Sequence, residues 1–549
     1  MVLQADTVYN WRIWNGTTWY TGTPFSVPFC PDTIIPTSSA SNPNTWETAD
    51  FTASFTDFDT GGSGLDRSFY QVLDYNGAEW RANNGNGFYN DNFDQSIHPD
   101  WTISTGTWPI SSGYLNQSDE GLNQTNINTS LNQVSSEIYL YHYQANTQSG
   151  MSSNRRQGIH FYANNGTLPN GGNSYFVYFR VDDNSCQIYK VASDVWTLKK
   201  DTVLIINENI WYDHKILFNP LSGEIKVYVN NVFISEWTDT SPHISGNSVL
   251  LRTGNANVLF NDFKTYRVRS NTELITIGPD STNDVRFQNP NPSTPSCRIK
   301  TIVKDNAENW SLPGSLNVNI DWTIPSDVAV NDGISIDVDT ICTLSELSAN
   351  WSASIDTHSA VVRYWYAIGT APGGNNIINW IDNGQNTSVT QTGLTLNADT
   401  IYYFTIRAEN GAGLFSNDIS SDGQVPKIMQ INAFADTTEL TLPDSTIIFT
   451  DTSADAVAWS WTFPGGTPSS STSQVQPVVY NVAGTYDFSL SVTNIYGCTD
   501  SIYAASYIVV NDPPPAPAIA GFTSNITSGC EPLIINFTDA SSNAPDTWL

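Results

Sequence analysis

Basic residues are scarce in this chain. Its 549 residues include 22 Lys plus Arg against 53 Asp plus Glu, a formal net charge of −31. Such a surface repels phosphate backbones and anionic membranes, so no nucleic-acid partner is expected. The acidic residues are scattered, which fits solvated strand faces and turns. Cysteine is also sparse: Cys30, Cys186, Cys297, Cys342, Cys498 and Cys530. No two form a CxxC pair, no Cys/His spacing suits zinc, and so few thiols do not make a disulfide scaffold. One or two bridges within or between modules stay open, with the pairing unassigned. The six histidines lie near no G-x-S-x-G elbow, which argues against a Ser/His/Asp triad. The longest apolar runs, such as 202–206, are strand-sized, and no membrane span of about 20 residues occurs. MVLQADTVYNW has no basic segment followed by an apolar one, so it is not a signal peptide. It reads, like NAPDTWL at the other end, as the middle of a domain. The expectation is a stretch of a longer protein whose export signal lies outside it.

Aromatic residues are plentiful, with 18 Trp and 25 Tyr, and Thr, Ser, Asn, Asp and Gly fill much of the remainder. Aromatic and β-branched side chains suit a pleated, half-buried surface, and the small polar residues suit turns. No long stretch carries apolar residues at helical spacing. An all-β chain of about four domains follows, at roughly 100–150 residues each.

One pattern recurs four times. DTVYNWRIWNGTTW starts at Asp6, CRIKTIVKDNAENWS at Cys297, DTIYYFTIRAENGAGLFS at Asp399 and GTYDFSLSVTNIYG at Gly484. Each has alternating large residues, an Asn/Gly turn and a short second strand, as in the closing hairpin of a β-sandwich. Four endings place boundaries near residues 30, 325, 425 and 511, and NDPPPAP is a stiff spacer. Nearly 300 residues separate the first two endings, too many for one small sandwich. The reading is a discontinuous module at 31–90 plus 268–325, with residues 91–267 inserted in one of its loops.

Several segments resemble known families. Residues 31–90 with 268–325, through DTGGSGLDRSFYQV and VKDNAENWS, resemble an immunoglobulin-like module of large bacterial surface proteins. The insert, through DNFD, DWTISTGTWPISSGYLNQ, SGEIKVYVNN and GNANVLFNDFKTYRV, is similar to a LamG-like or concanavalin-like jelly roll. LSANW, YWYAIGT and GLTLNADTIYYFTIRAENGAG resemble a fibronectin type III module over 326–426, and residues 1–30 look like the end of another such module. WSWTFPGGTP and VVYNVAGTYDFSLSVTNIYGCTDS resemble a PKD domain over 427–511, and CEPLIINFTDAS at 518–549 looks like the start of a second. The fold these resemblances imply is all-β: tandem β-sandwiches with a jelly roll inserted in one of them.

The insert lacks the E-x-D-x-x-E strand of concanavalin-like hydrolases, so no catalytic carboxylate pair is assigned. In YFVYFRV, Phe176, Tyr178 and Arg180 share the face opposite Tyr175, Val177 and Phe179. His160 pairs with Tyr162 in GIHFYAN, and Gln187 with Tyr189 in CQIYKV. His160, Tyr162, Tyr178, Arg180, Gln187 and Tyr189 are therefore the candidate glycan face, since rings that stack on sugars and hydrogen-bonding side chains are what such a site needs. An ordinary Tyr-rich strand face is the competing reading. Asp91, Asp94 and Asp262 meet if the first and last strands of the insert pair, which makes them candidate calcium ligands. Asp57, Asp59 and Asp66 in TDFDTGGSGLDR could also wrap calcium, but their spacing better fits an Asx-type turn. No other cofactor is expected. The function expected is non-catalytic extracellular or cell-surface binding to polysaccharide or cell-surface glycan, by a monomer whose other modules are spacers. The alternative is the accessory region of a secreted polysaccharide- or protein-degrading enzyme.

Overall fold

The computed structural model describes residues 8–26, 32–150, 152–543 and 547. Cys30, the first seven residues and most of NAPDTWL lie outside the described residues. Strands dominate throughout, and one short 3-10 turn at Asn84–Asn86 is the sole helical element among the described residues. All four recurring patterns form antiparallel hairpins: Arg12–Trp14 with Trp19–Thr21, Cys297–Asp305 with Gly314–Ile320, Tyr403–Asn410 with Ile419–Ser420, and Gly484–Asn494 with Thr499–Asn511. The chain divides into two compact units. The first is residues 1–326 with 354–362 and 409–416, and the second is 327–353 with 363–408 and 417–549.

In the first unit, a small sandwich hosts a larger one. The host stacks Thr272–Ile275, Phe51–Phe58 and Thr37–Ser41 against a sheet containing Leu65–Tyr75, Cys297–Asp305 and Gly314–Ile320. Alternation along each strand sends Phe51, Ala53 and Phe55, Tyr70 and Val72, and Cys297 and Ile299 into one core. The inserted jelly roll packs a seven-stranded sheet, Trp101–Thr105, Thr125–Val134, Ser245–Gly254, Arg156–Ala163, Ser174–Arg180, Ser185–Ala192 and Val195–Val203, on a second sheet. That second sheet runs Val232–Thr238, Glu224–Val229, Trp211–Asn219, Tyr139–Thr147 and Val258–Val268. Between the sheets, Tyr141, Tyr143, Phe161, Tyr175, Phe218 and Phe260 are fully buried.

Host and insert share a sheet. The insert's last strand, Val258–Val268, continues into pairing with the host strand Leu65–Tyr75, Arg267 opposite Tyr70 and Val268 opposite Phe69. A second core closes over this seam, with Phe69, Ile302 and Trp310 from the host and Leu140, Leu217, Tyr228 and Tyr266 from the insert. Trp310 stacks on Phe69 at 6.0 Å and meets the edge of Tyr228 at 5.2 Å. Glu308 accepts from Lys226 at 2.9 Å, Lys304 at 2.7 Å and the Tyr228 hydroxyl. Where the chain re-enters the host, the side chain of Arg269 is fully buried and paired with Asp57.

That pairing settles the acidic segment TDFDTGGSGLDR. Asp57 is spent on Arg269, Ser38 and Ser68. Asp59 accepts from the amides of Gly61 and Gly64, an Asx-type turn, and Asp66 pairs with Lys304 at 2.8 Å. The three do not surround a common point. Asp59 instead sits with Asp32 and Asp305.

The second unit holds two further sandwiches. Within residues 327–353 and 363–408 one sheet is Val330–Asp332, Glu346–Trp351 and Ser388–Thr392. Trp351 packs on Tyr364 at 5.9 Å, and the Tyr402 hydroxyl accepts from the backbone N–H of Asn397 beside buried Leu396, a corner that pins the sandwich edge. In residues 427–511, Trp461, Phe463, Phe449 and Phe488 form the aromatic centre. The turn after Phe463 needs Gly465, whose φ is +78° and whose site leaves no room for a Cβ beside Tyr486. Cys342 is disulfide-bonded to Cys498, joining the two sandwiches, while Cys186, Cys297 and Cys530 are free.

Two stability outcomes follow. Trp310→Ala should cost about 3–5 kcal/mol, and calorimetry should show the insert and host transitions falling together; an unmoved insert transition would show that the seam transmits nothing. Replacing Cys342 and Cys498 by Ser should cost the second unit about 2–4 kcal/mol. Thermal unfolding with and without reductant checks it, the reductant having no effect on the double variant.

Candidate functional site

Strand alternation places the expected glycan face as drawn, with one exception. Phe176, Tyr178, Gln187, Tyr189 and His160 all point away from the main core, forming a small cluster of their own on the outer side of the seven-stranded sheet. Tyr162 does not join them. The pairing of Arg156–Ala163 slips between His160 and Ala163, and Tyr162 has a φ of +51°. This bulge turns Phe161 and Tyr162 both into the core.

The face is not open as expected. His160, Tyr178 and Gln187 are buried, and only Tyr189 and Arg180 are half-exposed. Two features roof it. The loop 164–173 folds over the sheet, and its Pro169 carbonyl accepts from Asn126 at 2.7 Å and Arg252 at 3.2 Å. Trp196, on the edge strand, lies over Arg252 with the guanidinium 4.6 Å from its ring centre. Beneath, His160 stacks flat on Phe176 at 4.0 Å. Tyr189 donates to Gln187 at 2.6 Å, Gln187 to Asp201 at 3.1 Å, and Arg180 is held by Asp182 and Asp183. The cluster is a minor core in which Tyr189, Gln187 and Arg180 are bonded, while the Tyr178 hydroxyl and His160 Nε2 are buried without a hydrogen-bond partner among the described residues. Trp196, 37% exposed, is its accessible part.

Asp91, Asp94 and Asp262 come together elsewhere. The strand Tyr89–Asp91 pairs antiparallel with Val258–Val268, Asp91 opposite Phe263, and Asp262 sits at a bulge with φ +55°. All three line a cleft of about 580 Å³ where the insert meets the host. Their carboxylates do not converge on one point in the manner of a metal cage: among the described residues, the acidic triads within ligating distance are Asp32/Asp59/Asp305 and Asp332/Asp337/Asp422. Asp91 is buried, accepting from the Phe93 amide at 2.9 Å and Trp101 Nε1 at 2.9 Å while pairing with Arg81 at 3.2 Å. Asp262 pairs with Lys264 at 3.0 Å, and Asp94 accepts from the Asn92 amide. Calcium held by these three as a set does not fit carboxylates already bound separately.

The rest of the cleft comes from residues that the sequence did not single out. Asn90, Asn92, Gln95, Ser96 and His98 line the insert side, and Trp80, Arg298 and Lys300 the host side. Glu79 pairs with Arg81 at 3.0 Å and with His98 at 3.6 Å. The Arg298 guanidinium lies 4.2 Å from the Trp80 ring centre, and its Nε donates to Asn317 at 2.8 Å. Lys300 makes no hydrogen bond or ion pair among the described residues; burial, reinforced by the neighbouring charges of Lys264 and Arg298, brings its ammonium down to about 8. The signal for both cations was present in CRIKTIVKD, where Arg298 and Lys300 alternate with core-facing Cys297 and Ile299. Nothing local says which neighbour that face meets.

Comparison with known proteins identifies one segment. Residues 434–505 match the PKD domain. No curated protein matches the chain. Among solved structures, a carbohydrate-binding module, CBM66, from Bacillus subtilis is 15% identical, covering 31% of this chain and 98% of its own, with a TM-score of 0.27. The Emp46p carbohydrate recognition domain, in its metal-free form, is 13% identical over 34% and 97%, TM-score 0.27. A Bacillus licheniformis beta-glucanase is 12% identical over 34% and 98%, TM-score 0.26. Likeness of this degree carries no ligand or activity across.

The buried histidines give the insert a pH dependence. Burial holds His160 well below its usual value and His214 near 4, so both stay neutral in the folded chain at pH 5. The unfolded chain takes up those protons below about 6.5. Stability is therefore complete above that pH and falls as pH drops towards the folded values, by about 1 kcal/mol per pH unit for each histidine. Thermal melts from pH 7 to 5 should show the fall, and His214→Gln should reduce it by about half.

Proposed function

We propose that the chain is a non-catalytic, extracellular carbohydrate-binding region, the cleft between jelly roll and host being the ligand site and the remaining sandwiches serving as spacers. The observation that carries this reading is the lining of the cleft. Side-chain amides, a hydroxyl, an imidazole, carboxylates and cations surround a single indole. A sugar offers matching hydroxyls and one less polar face, whereas an apolar ligand would leave those groups desolvated and unpaired. The shared sheet fixes the two walls, so little ordering is lost on binding.

Asp91 supports the absence of catalysis. It is the deeply buried carboxylate of the cleft, and both its oxygens are taken up by the Phe93 amide, Trp101 and Arg81, which commits it to holding the cleft wall. The Cys342–Cys498 bridge suits an oxidising compartment outside the cytoplasm. The Leu396 and Tyr402 corner supports a fibronectin type III-like spacer at 326–426.

Affinity electrophoresis of the chain through gels containing a panel of neutral and acidic polysaccharides tests this. At least one polymer should retard it, and Trp80→Ala should weaken that retardation about tenfold while Trp196→Ala leaves it unchanged. Retardation lost with Trp196→Ala and kept with Trp80→Ala would move the site to the outer face of the jelly roll. No retardation by any polymer would overturn the carbohydrate reading.

A further inference from the structure

Resting on that reading, we infer that the cleft selects an anionic saccharide, whose acidic group is bound by Arg298 and Lys300 of the host strand. The specificity would then lie outside the jelly roll that the ligand otherwise touches.

The argument begins with charge. The chain has 53 acidic residues and 22 basic ones, so a cation has no shortage of partners. Most charges in the cleft are indeed neutralised in place. Arg81 takes Asp91 and Glu79, His98 lies beside Glu79 and Asp100, and Lys264 takes Asp262. Arg298 and Lys300 are different. They stand two residues apart on Cys297–Asp305, on the face opposite core residues Cys297 and Ile299, and both line the cleft. Neither has a carboxylate partner among the described residues.

Geometry prepares them for an anion. Arg298 is fixed by the Trp80 ring beneath it and by the bond from its Nε to Asn317, which leaves the terminal N–H fork unbonded. Lys300 is half-buried with its ammonium unpaired, an arrangement that disfavours the charge until an anion arrives. A carboxylate or sulfate between them would satisfy both. Asn90 and Asn92 donate their side-chain amides to the Trp80 carbonyl and the Asp94 carboxylate, which leaves their amide oxygens, Gln95 and Ser96 for hydroxyls, so the acidic group belongs on a sugar.

Protonation adds a signature. Lys300 is charged below about 8 and loses its proton above it, while Lys264, Asp262 and Arg298 nearby, and Glu79, Asp91, Asp94, His98 and Arg81 around the cleft, set its surroundings. Anion affinity should hold through pH 7 and fall as pH rises through 8, by up to about tenfold per unit.

Isothermal titration of the full chain uses a homogalacturonan oligomer against its fully methyl-esterified form, and dextran sulfate against dextran. The acidic member of a pair should bind at least tenfold more tightly, and which pair responds distinguishes carboxylate from sulfate. Lys300→Met and Arg298→Gln should each erase the preference. Lys300→Arg should keep it and remove the decline between pH 7 and 9, which a merely structural lysine would not do; melts of each variant check that it folds. Equal binding of acidic and neutral members, or an unchanged preference in Lys300→Met, overturns the inference and leaves the carbohydrate reading standing. Binding of none of these probes overturns the inference, and the polysaccharide panel then decides the broader reading separately.

Discussion

Two backbone pairs hold the first unit together: Arg267 opposite Tyr70 and Val268 opposite Phe69. Through them the last strand of the jelly roll becomes a neighbour of a host strand, and two sandwiches become one continuous sheet. A flexible tether would leave the insert free to reorient at little cost. Here rotation would break ladder hydrogen bonds, open the core around Trp310 and pull Lys226 and Tyr228 of the insert from Glu308 of the host. The insert is therefore locked to its host by interactions that each penalise separation.

The cleft exists because of that lock. One wall is the strand Tyr89–Asp91 and the segment after it, the other the outward side of Cys297–Asp305, and neither alone encloses a volume. The division of labour is chemical as well. The insert contributes mainly amides and carboxylates, the host an indole and two cations without a carboxylate partner among the described residues. Recognition that depends on both walls would change if either sandwich were exchanged for another, even with the fold of each preserved.

Much of the fold was legible in the residues. Period-two alternation gave the strands, and each of the four Asn/Gly endings forms an antiparallel hairpin. The assignment of faces along Ser174–Arg180 and Ser185–Ala192 also followed from alternation alone. Two things misled. A bulge at Tyr162 broke the alternation, and no residue nearby announces it, because a non-glycine at positive φ is imposed by pairing with the neighbouring strand. The exposure of His160, Tyr178 and Gln187 was also misjudged, because their cover comes from a loop and an edge strand whose path local pattern does not encode. Asp91, Asp94 and Asp262 do line one cleft, yet with partners that separate them.

By itself the sequence determined that this protein is all-β, modular and strongly acidic, because strand periodicity, turn chemistry and charge are local or additive properties. Only the tertiary structure decided which cysteines bond, which Tyr-rich face is roofed, and that Arg298 and Lys300 face a cleft without an ion-pair partner among the described residues. Those are relations between residues distant in the chain. They depend on how several strand pairings and loops come together, which no single stretch of residues contains.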